Sequence, residues 1–136
     1  MAIWVYNPHT GGKSIPPAVR ARTERRIVDY ADKHYAGKFT RIDVRFRGAL
    51  CYIDAYTEPD VPRGSRPPRG ETRDHWLDRR RNTSLHLCRI RYFGDEDSWS
   101  FAWYTYAHEK YEPGFLISGE DHCTPEEAFA TAAQFL

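Results

Sequence analysis

Residues 40–58 read TRIDVRFRGALCYIDAYTE, and this stretch decides the fold. Apolar and polar side chains alternate on both sides of Gly48, the pattern of two antiparallel strands joined by a tight turn. Successive side chains of a strand point to opposite faces. Ile42, Val44 and Phe46 should therefore share one face with Cys51, Ile53 and Ala55. Arg41, Asp43, Arg45 and Arg47 should share the other with Leu50, Tyr52, Asp54 and Tyr56. One face is built for a core and the other for water or a ligand.

A second alternating pair follows at 84–93 and 98–108, SLHLCRIRYF and SWSFAWYTYAH, around Gly94-Asp95-Glu96-Asp97. The four-residue loop predicts that Cys88, Ile90 and Tyr92 face the same side as Trp99, Phe101 and Trp103. Leu85, Leu87, Arg89 and Arg91 would then lie on the opposite side with Ser100, Ala102, Tyr104 and Tyr106. The short apolar run Phe115 to Ile117 is expected to add a fifth strand, and Ile3 to Tyr6 a small strand ahead of the rest.

Helical signals bracket the hairpins. Residues 16–36 place Val19, Thr23, Ile27, Tyr30 and Ala31 near one face, with proline allowed at the start and Gly37 set to stop the helix. Its charged residues, among them Arg22 and Arg26, are expected on a solvated outer face. Thr124-Pro125-Glu126-Glu127 supplies an N-cap, a first-turn proline and two acids, and Ala128, Phe129, Ala132, Ala133 and Leu136 form an apolar stripe behind it. Residues 59–83 are rich in Pro, Gly and Arg and read as a mobile or partly structured loop, tacked down by Trp76 and Leu77. The expectation is a single α+β domain over 1–136: an antiparallel sheet of four to five strands built from two hairpins, packed on one face by an N-terminal and a C-terminal helix.

Composition narrows the class. The 136 residues are 40% hydrophobic and 29% charged, ordinary for a folded soluble chain. No apolar run approaches the roughly 18 to 20 residues that span a bilayer, so no membrane partner is expected. The opening MAIWVYNP lacks the basic and apolar regions of a signal peptide. Cys51, Cys88 and Cys123 are odd in number and lack CxxC spacing, which suits a reducing cytoplasm rather than a disulfide framework. The net charge of +1 hides an asymmetry: residues 1–91 carry 19 of the 20 Lys and Arg against ten acids, whereas residues 92–136 carry Lys110 against nine acids. Sixteen of the bases are arginine, the residue suited to bidentate and stacked contacts.

The polar sheet face is the strongest functional candidate. By alternation it displays Arg41, Arg45, Arg47, Arg89 and Arg91 among Tyr52, Tyr56, Tyr104 and Tyr106. Bases stack on aromatic rings and guanidinium planes while phosphates meet positive charge, so the pattern points to RNA or single-stranded DNA bound without catalysis. The seven arginines between Arg63 and Arg81 would close over the strand. The same residue types suit a protein interface, with an acidic partner or a second copy of the chain. They also suit a solvated sheet face with cross-strand pairs. A third reading is a small metal-assisted hydrolase or nuclease using Asp54, His86, His108 and Glu109.

No cofactor signature is present. Gly12-Lys13-Ser14 invites comparison with a phosphate loop, but Asn7 stands at the first glycine and Pro16 and Pro17 fall where the helix must donate N–H groups. His122 and Cys123 with Cys51 and Cys88 would make a metal site only if the fold gathered them, and Cys51 and Cys88 read as small core hydrophobes, so neither metal nor cofactor is expected.

The stretches MAIWVYNPHTGGK (1–13), TRIDVRFRGALCYIDAYTEP (40–59) and CRIRYFGDEDSWSFAWYTYAHEKYEP (88–113) resemble a family of small bacterial proteins with no assigned activity. The resemblance implies a bacterial cytoplasmic origin and no chemistry. FLISGEDHCTPEEAFATAAQFL (115–136) is similar to the last strand and helix of HicB-like antitoxin domains. The N-terminal helix and the arginine-rich loop depart from that pattern.

Overall fold

The computed structural model describes residues 11–136. The strand expected at Ile3 to Tyr6 lies outside them. The elements run α1 (Pro17–His34), β1 (Arg41–Arg47), β2 (Leu50–Tyr56), α2 (Arg73–Arg81), β3 (Leu85–Tyr92), β4 (Trp99–Thr105), β5 (Lys110–Pro113), β6 (His122–Cys123) and α3 (Pro125–Ala132), which ends in a 3₁₀ turn, Ala133–Phe135. The fold is α+β, with one antiparallel sheet in the order β1-β2-β3-β4-β5 and β6 paired to β4. None of the described helices is long and apolar enough to cross a membrane.

The first hairpin has the register that alternation demands. Ile42 lies opposite Ala55, Val44 opposite Ile53 and Phe46 opposite Cys51, while Arg45 lies opposite Tyr52. A two-residue turn joins the strands, and Gly48 takes the positive φ of 59° that L side chains avoid. In the second hairpin Cys88 faces Trp103, Ile90 faces Phe101 and Tyr92 faces Trp99.

Both helices cover the apolar face. Val19, Thr23, Ile27 and Ala31 recur every four residues and are the buried residues of α1. In α3 Thr124 accepts from the Glu127 amide at 3.1 Å, and Glu127 Oε1 accepts from the Thr124 amide at 3.0 Å, the reciprocal capping box its sequence promises. Tyr30 of α1 and Tyr35, the residue that follows the helix, meet Phe129 of α3 edge-on, with ring centroids 6.2 and 5.3 Å away. Phe129 joins Ile27, Ile53, Ile90, Trp99 and Phe101 among the largest fully buried side chains.

The main path of the sheet has five strands, within the expected four to five, and the two-residue β6 adds a sixth among the described residues. Three expectations are corrected. Phe115 to Ile117 is not a strand: Leu116 is buried while Phe115 and Ile117 are exposed, and the polar tetrad Lys110–Pro113 pairs with β4 instead. The apolar run misled there because a strand needs backbone pairing, and the edge of β4 is taken by the residues that reach it immediately after its turn.

The segment 59–83 is not merely a loop. Thr72 caps α2 by accepting from the His75 amide at 3.2 Å, and Arg80 lies 5.6 Å from the centroid of Trp76. No residue of α2 is buried, which is why no apolar periodicity announced it. Finally, Arg26 of α1 is not simply solvated. It clasps both Glu126 carboxylate oxygens, the Glu96 carbonyl and Asp97, tying α1 to α3 and to the β3–β4 loop.

Two predictions concern stability. Phe129→Ala should cost about 3–5 kcal/mol in denaturant unfolding, against about 1 kcal/mol for Thr124→Ala. Burial is the largest single influence and pushes Glu126 upward, but the Arg26 hydrogen bonds and charge, with hydrogen bonds from its own amide and Thr124, together hold the carboxyl below the usual glutamate range. The folded state then binds fewer protons than the unfolded chain. The contribution is full above the unfolded value of about 4.3 and is lost as pH falls through the lower folded value. The stability gap between the parent and Arg26→Gln should therefore narrow between neutral pH and about pH 3.

Candidate functional site

The open face is organised around Asp54, a carboxylate only 2% exposed. Its position follows from β2 alternation; its partners follow from an irregularity. The pairing of β2 with β3 is regular through Ile53 and Cys88, then shifts so that Asp54 lies opposite His86 and Ala55 opposite Leu85. Leu87 is the extra residue of a β-bulge. Leu87 accordingly packs against the core, and Leu85 shares the face of Ala55. The expectation of Leu85 and Leu87 on the polar face is thus corrected, and His86 takes their place there. A leucine on the polar register beside a histidine on the apolar one was the sequence signal for the bulge.

Asp54 is fully engaged. Arg45 Nη2 donates to Oδ2 at 2.8 Å and His86 Nδ1 to Oδ1 at 3.0 Å. A carboxylate only accepts, so Nδ1 carries the hydrogen, and whenever the ring is neutral Nε2 holds the lone pair. The His86 amide donates to Tyr106 Oη at 2.7 Å, which fixes the backbone of the bulge as well.

An aromatic run crosses the face above this cluster. Tyr52 and Tyr111 have ring centroids 5.4 Å apart although their strands are three positions apart in the sheet. Their rings therefore bridge the space above β3 and β4. Tyr111 meets Tyr104 at 5.0 Å, Tyr104 meets Tyr106 at 4.7 Å, and His86 meets Tyr104 at 4.7 Å, all tilted or edge-on. Burial pushes the Tyr111 hydroxyl well above the usual tyrosine range, and the charge of Asp54 adds to it. That hydroxyl stays protonated and is a donor at neutral pH. Tyr106 is 56% exposed.

The arginines divide by role. Arg45 spans the cluster and the surface: one nitrogen binds Asp54, its guanidinium lies 5.3 Å from the Tyr52 centroid, and its side chain is half exposed. Arg47 is exposed, and Arg89 lies 5.1 Å from the Tyr111 centroid. Arg41 covers one side of Tyr56 at 4.1 Å. Arg91 departs from the expected surface role: it is 9% exposed, and Nη1 donates to the Gly11 carbonyl at 2.9 Å.

The strap over Arg91 is the former phosphate-loop candidate. The Lys13 and Ile15 amides donate to the Tyr92 and Gly48 carbonyls, so they cannot cradle a phosphate. Gly12 is required there, since a Cβ would lie 2.7 Å from the Tyr92 oxygen.

Arg45, Arg47, Tyr52, His86, Tyr104 and Tyr111 line an open groove of about 510 Å³. At the His86 end, Arg79 and Arg80 of α2 flank a smaller one of about 190 Å³ beside Leu85. Within the basic segment Arg79 is paired with Glu71 and Arg81 with Glu58, whereas Arg63, Arg66 and Arg69 are exposed.

The catalytic candidates separate into two groups. Asp54 and His86 meet; His108 pairs with Glu112 at 2.6 Å in the exposed turn after β4, where Glu109 takes a positive φ of 53°. Among the described residues neither of the latter contacts the Asp54–His86 pair. Cys51, Cys88 and Cys123 are free and buried, burial pushes the Cys123 thiol up to about 12, and no group of three or more His, Cys, Asp or Glu gathers at metal-binding distance among the described residues. Tyr111 was missed by sequence reasoning because its strand is four residues of polar sequence. No protein-family model, curated protein or solved structure matches this chain, and a functional reading rests on the geometry of the face.

The double variant Arg45→Ala/His86→Ala should cost about 3–5 kcal/mol, more than the sum of the single variants, because it strands a buried charge. Adding Asp54→Asn should recover much of that loss in urea unfolding. An unchanged midpoint on adding it would show that Asp54 is solvated.

Proposed function

We propose that the open sheet face binds single-stranded nucleic acid, RNA or single-stranded DNA. The observation that carries this reading is the run Tyr52, Tyr111 and Tyr104 with Arg45 and Arg47 along one groove, continued by Tyr106 against Tyr104, with Arg89 against Tyr111. Rings held edge-to-face leave half-buried platforms on which bases stack, at about 1–3 kcal/mol each. The half-exposed guanidiniums supply the phosphate contacts. Arg63, Arg66 and Arg69 extend positive charge beyond the sheet.

Affinity for labelled single strands, measured by fluorescence anisotropy, should fall with salt. At about −0.7 per phosphate contact, three arginines give a log–log slope of about −2. Tyr52→Ala should weaken binding about five- to a hundred-fold, and Arg47→Ala should make the salt slope shallower by about 0.7. Arg47 lies outside the Asp54 network, so its loss leaves the fold intact. Absence of binding at low salt by folded protein would overturn the reading and assign the face to a protein partner.

A further inference from the structure

We propose that the Asp54–His86 pair makes this face a metal-independent ribonucleolytic centre, with His86 as the catalytic base and Asp54 as its positioning residue. The inference rests on the nucleic-acid reading above and names RNA as the substrate.

In the groove a nearly buried aspartate holds the ring nitrogen of a lining histidine. The arrangement is the one that general-base catalysis requires. The Asp54 carboxylate takes the Nδ1 hydrogen at 3.0 Å, fixing the tautomer and the ring plane. Nε2 then carries the lone pair, and no described residue hydrogen-bonds to it. Asp54 is itself immobilised by Arg45, and the His86 backbone by Tyr106. The bulge between β2 and β3 exists at this point and brings the two side chains to one face. Bulges concentrate beside active sites, where they re-aim a side chain.

The neighbours suit phosphodiester chemistry. Arg45 and Arg47 line the same groove as His86 and supply the positive charge a pentacoordinate phosphorus needs. The protonated Tyr111 hydroxyl adds a neutral donor on the same wall. Tyr104, 4.7 Å from the His86 ring, is the stacking platform nearest the base.

The step balances without metal or hydrolytic water. Nε2 takes the proton of a ribose 2′-hydroxyl as its oxygen forms a bond to the adjacent phosphorus. The bond from phosphorus to the following 5′-oxygen breaks with its electron pair, and that oxygen takes a proton from water in the open groove. The imidazolium returns its proton to solvent. The products are a 2′,3′-cyclic phosphate and a 5′-hydroxyl, and a strand without a 2′-hydroxyl cannot react.

The test uses the full chain, a dye-labelled oligouridylate and its all-deoxy counterpart, both in EDTA. The expected result is cleavage of the RNA to cyclic-phosphate ends, while the deoxy strand is bound and stays intact. His86→Gln retains a donor toward Asp54 and should cut at least about 100-fold more slowly, with a far smaller change in affinity for the deoxy strand. Asp54→Asn should lower kcat and change its pH profile while the variant binds the deoxy strand with the parent's stoichiometry, which a loss of folded protein would reduce. Intact RNA beside a bound deoxy strand would overturn this inference and leave the binding reading standing. RNA cut equally by parent and His86→Gln would also overturn it. Binding of neither strand would overturn both.

Discussion

A carboxylate with almost no exposure to water must find its compensation within the protein, and Asp54 finds it in two places at once. An unpaired charge at that depth would cost several kcal/mol, so its partners are as much a condition of the fold as the core is. Arg45 comes from the neighbouring strand by regular pairing. His86 comes only because the β2–β3 register slips by one residue. The slip has a second consequence, since it sends Leu87 into the core at the position where a histidine would have been buried. One bulge therefore satisfies the charge, completes the apolar layer and creates the polar centre of the open face.

The arginines show how one residue type serves three ends. Arg91 is consumed by the strap at Gly11 that closes the end of the sheet. Arg22 and Arg26 bind Glu96, Asp97 and Glu126 from the acidic C-terminal portion. Much of the charge asymmetry along the chain is therefore neutralised inside the fold rather than presented to a partner. Arg45, which also binds Asp54, and Arg47 line the tyrosine groove, Arg89 lies against Tyr111, and Arg63, Arg66 and Arg69 are exposed in the stretch before α2.

The hairpins, the two flanking helices and the division of the sheet into an apolar and an Arg/Tyr face were legible in the sequence, because each rests on a local rule. Side-chain period gives the faces of a strand, four-residue spacing gives the stripe of α1, and Thr-Pro-Glu-Glu gives the cap of α3. Helix α2 and strand β5 escaped because neither buries an apolar stripe: one is held by a cap and ion pairs, the other by backbone pairing to an edge. Of the candidate site residues, Asp54 and His86 meet only through the bulge, whose single mark in the sequence is a leucine and a histidine in exchanged registers.

By itself the sequence determined which residues could alternate, cap and turn, and so the α+β class and the chemistry available on the open face. Only the tertiary structure decided which of those residues share a point in space. Pairing between strands 30 residues apart is set by the sum of all contacts along both, and one bulge reverses every facing beyond it. That is why Arg91 was lost to the interior, Tyr111 was gained from an unforeseen strand, and His86 was brought to Asp54.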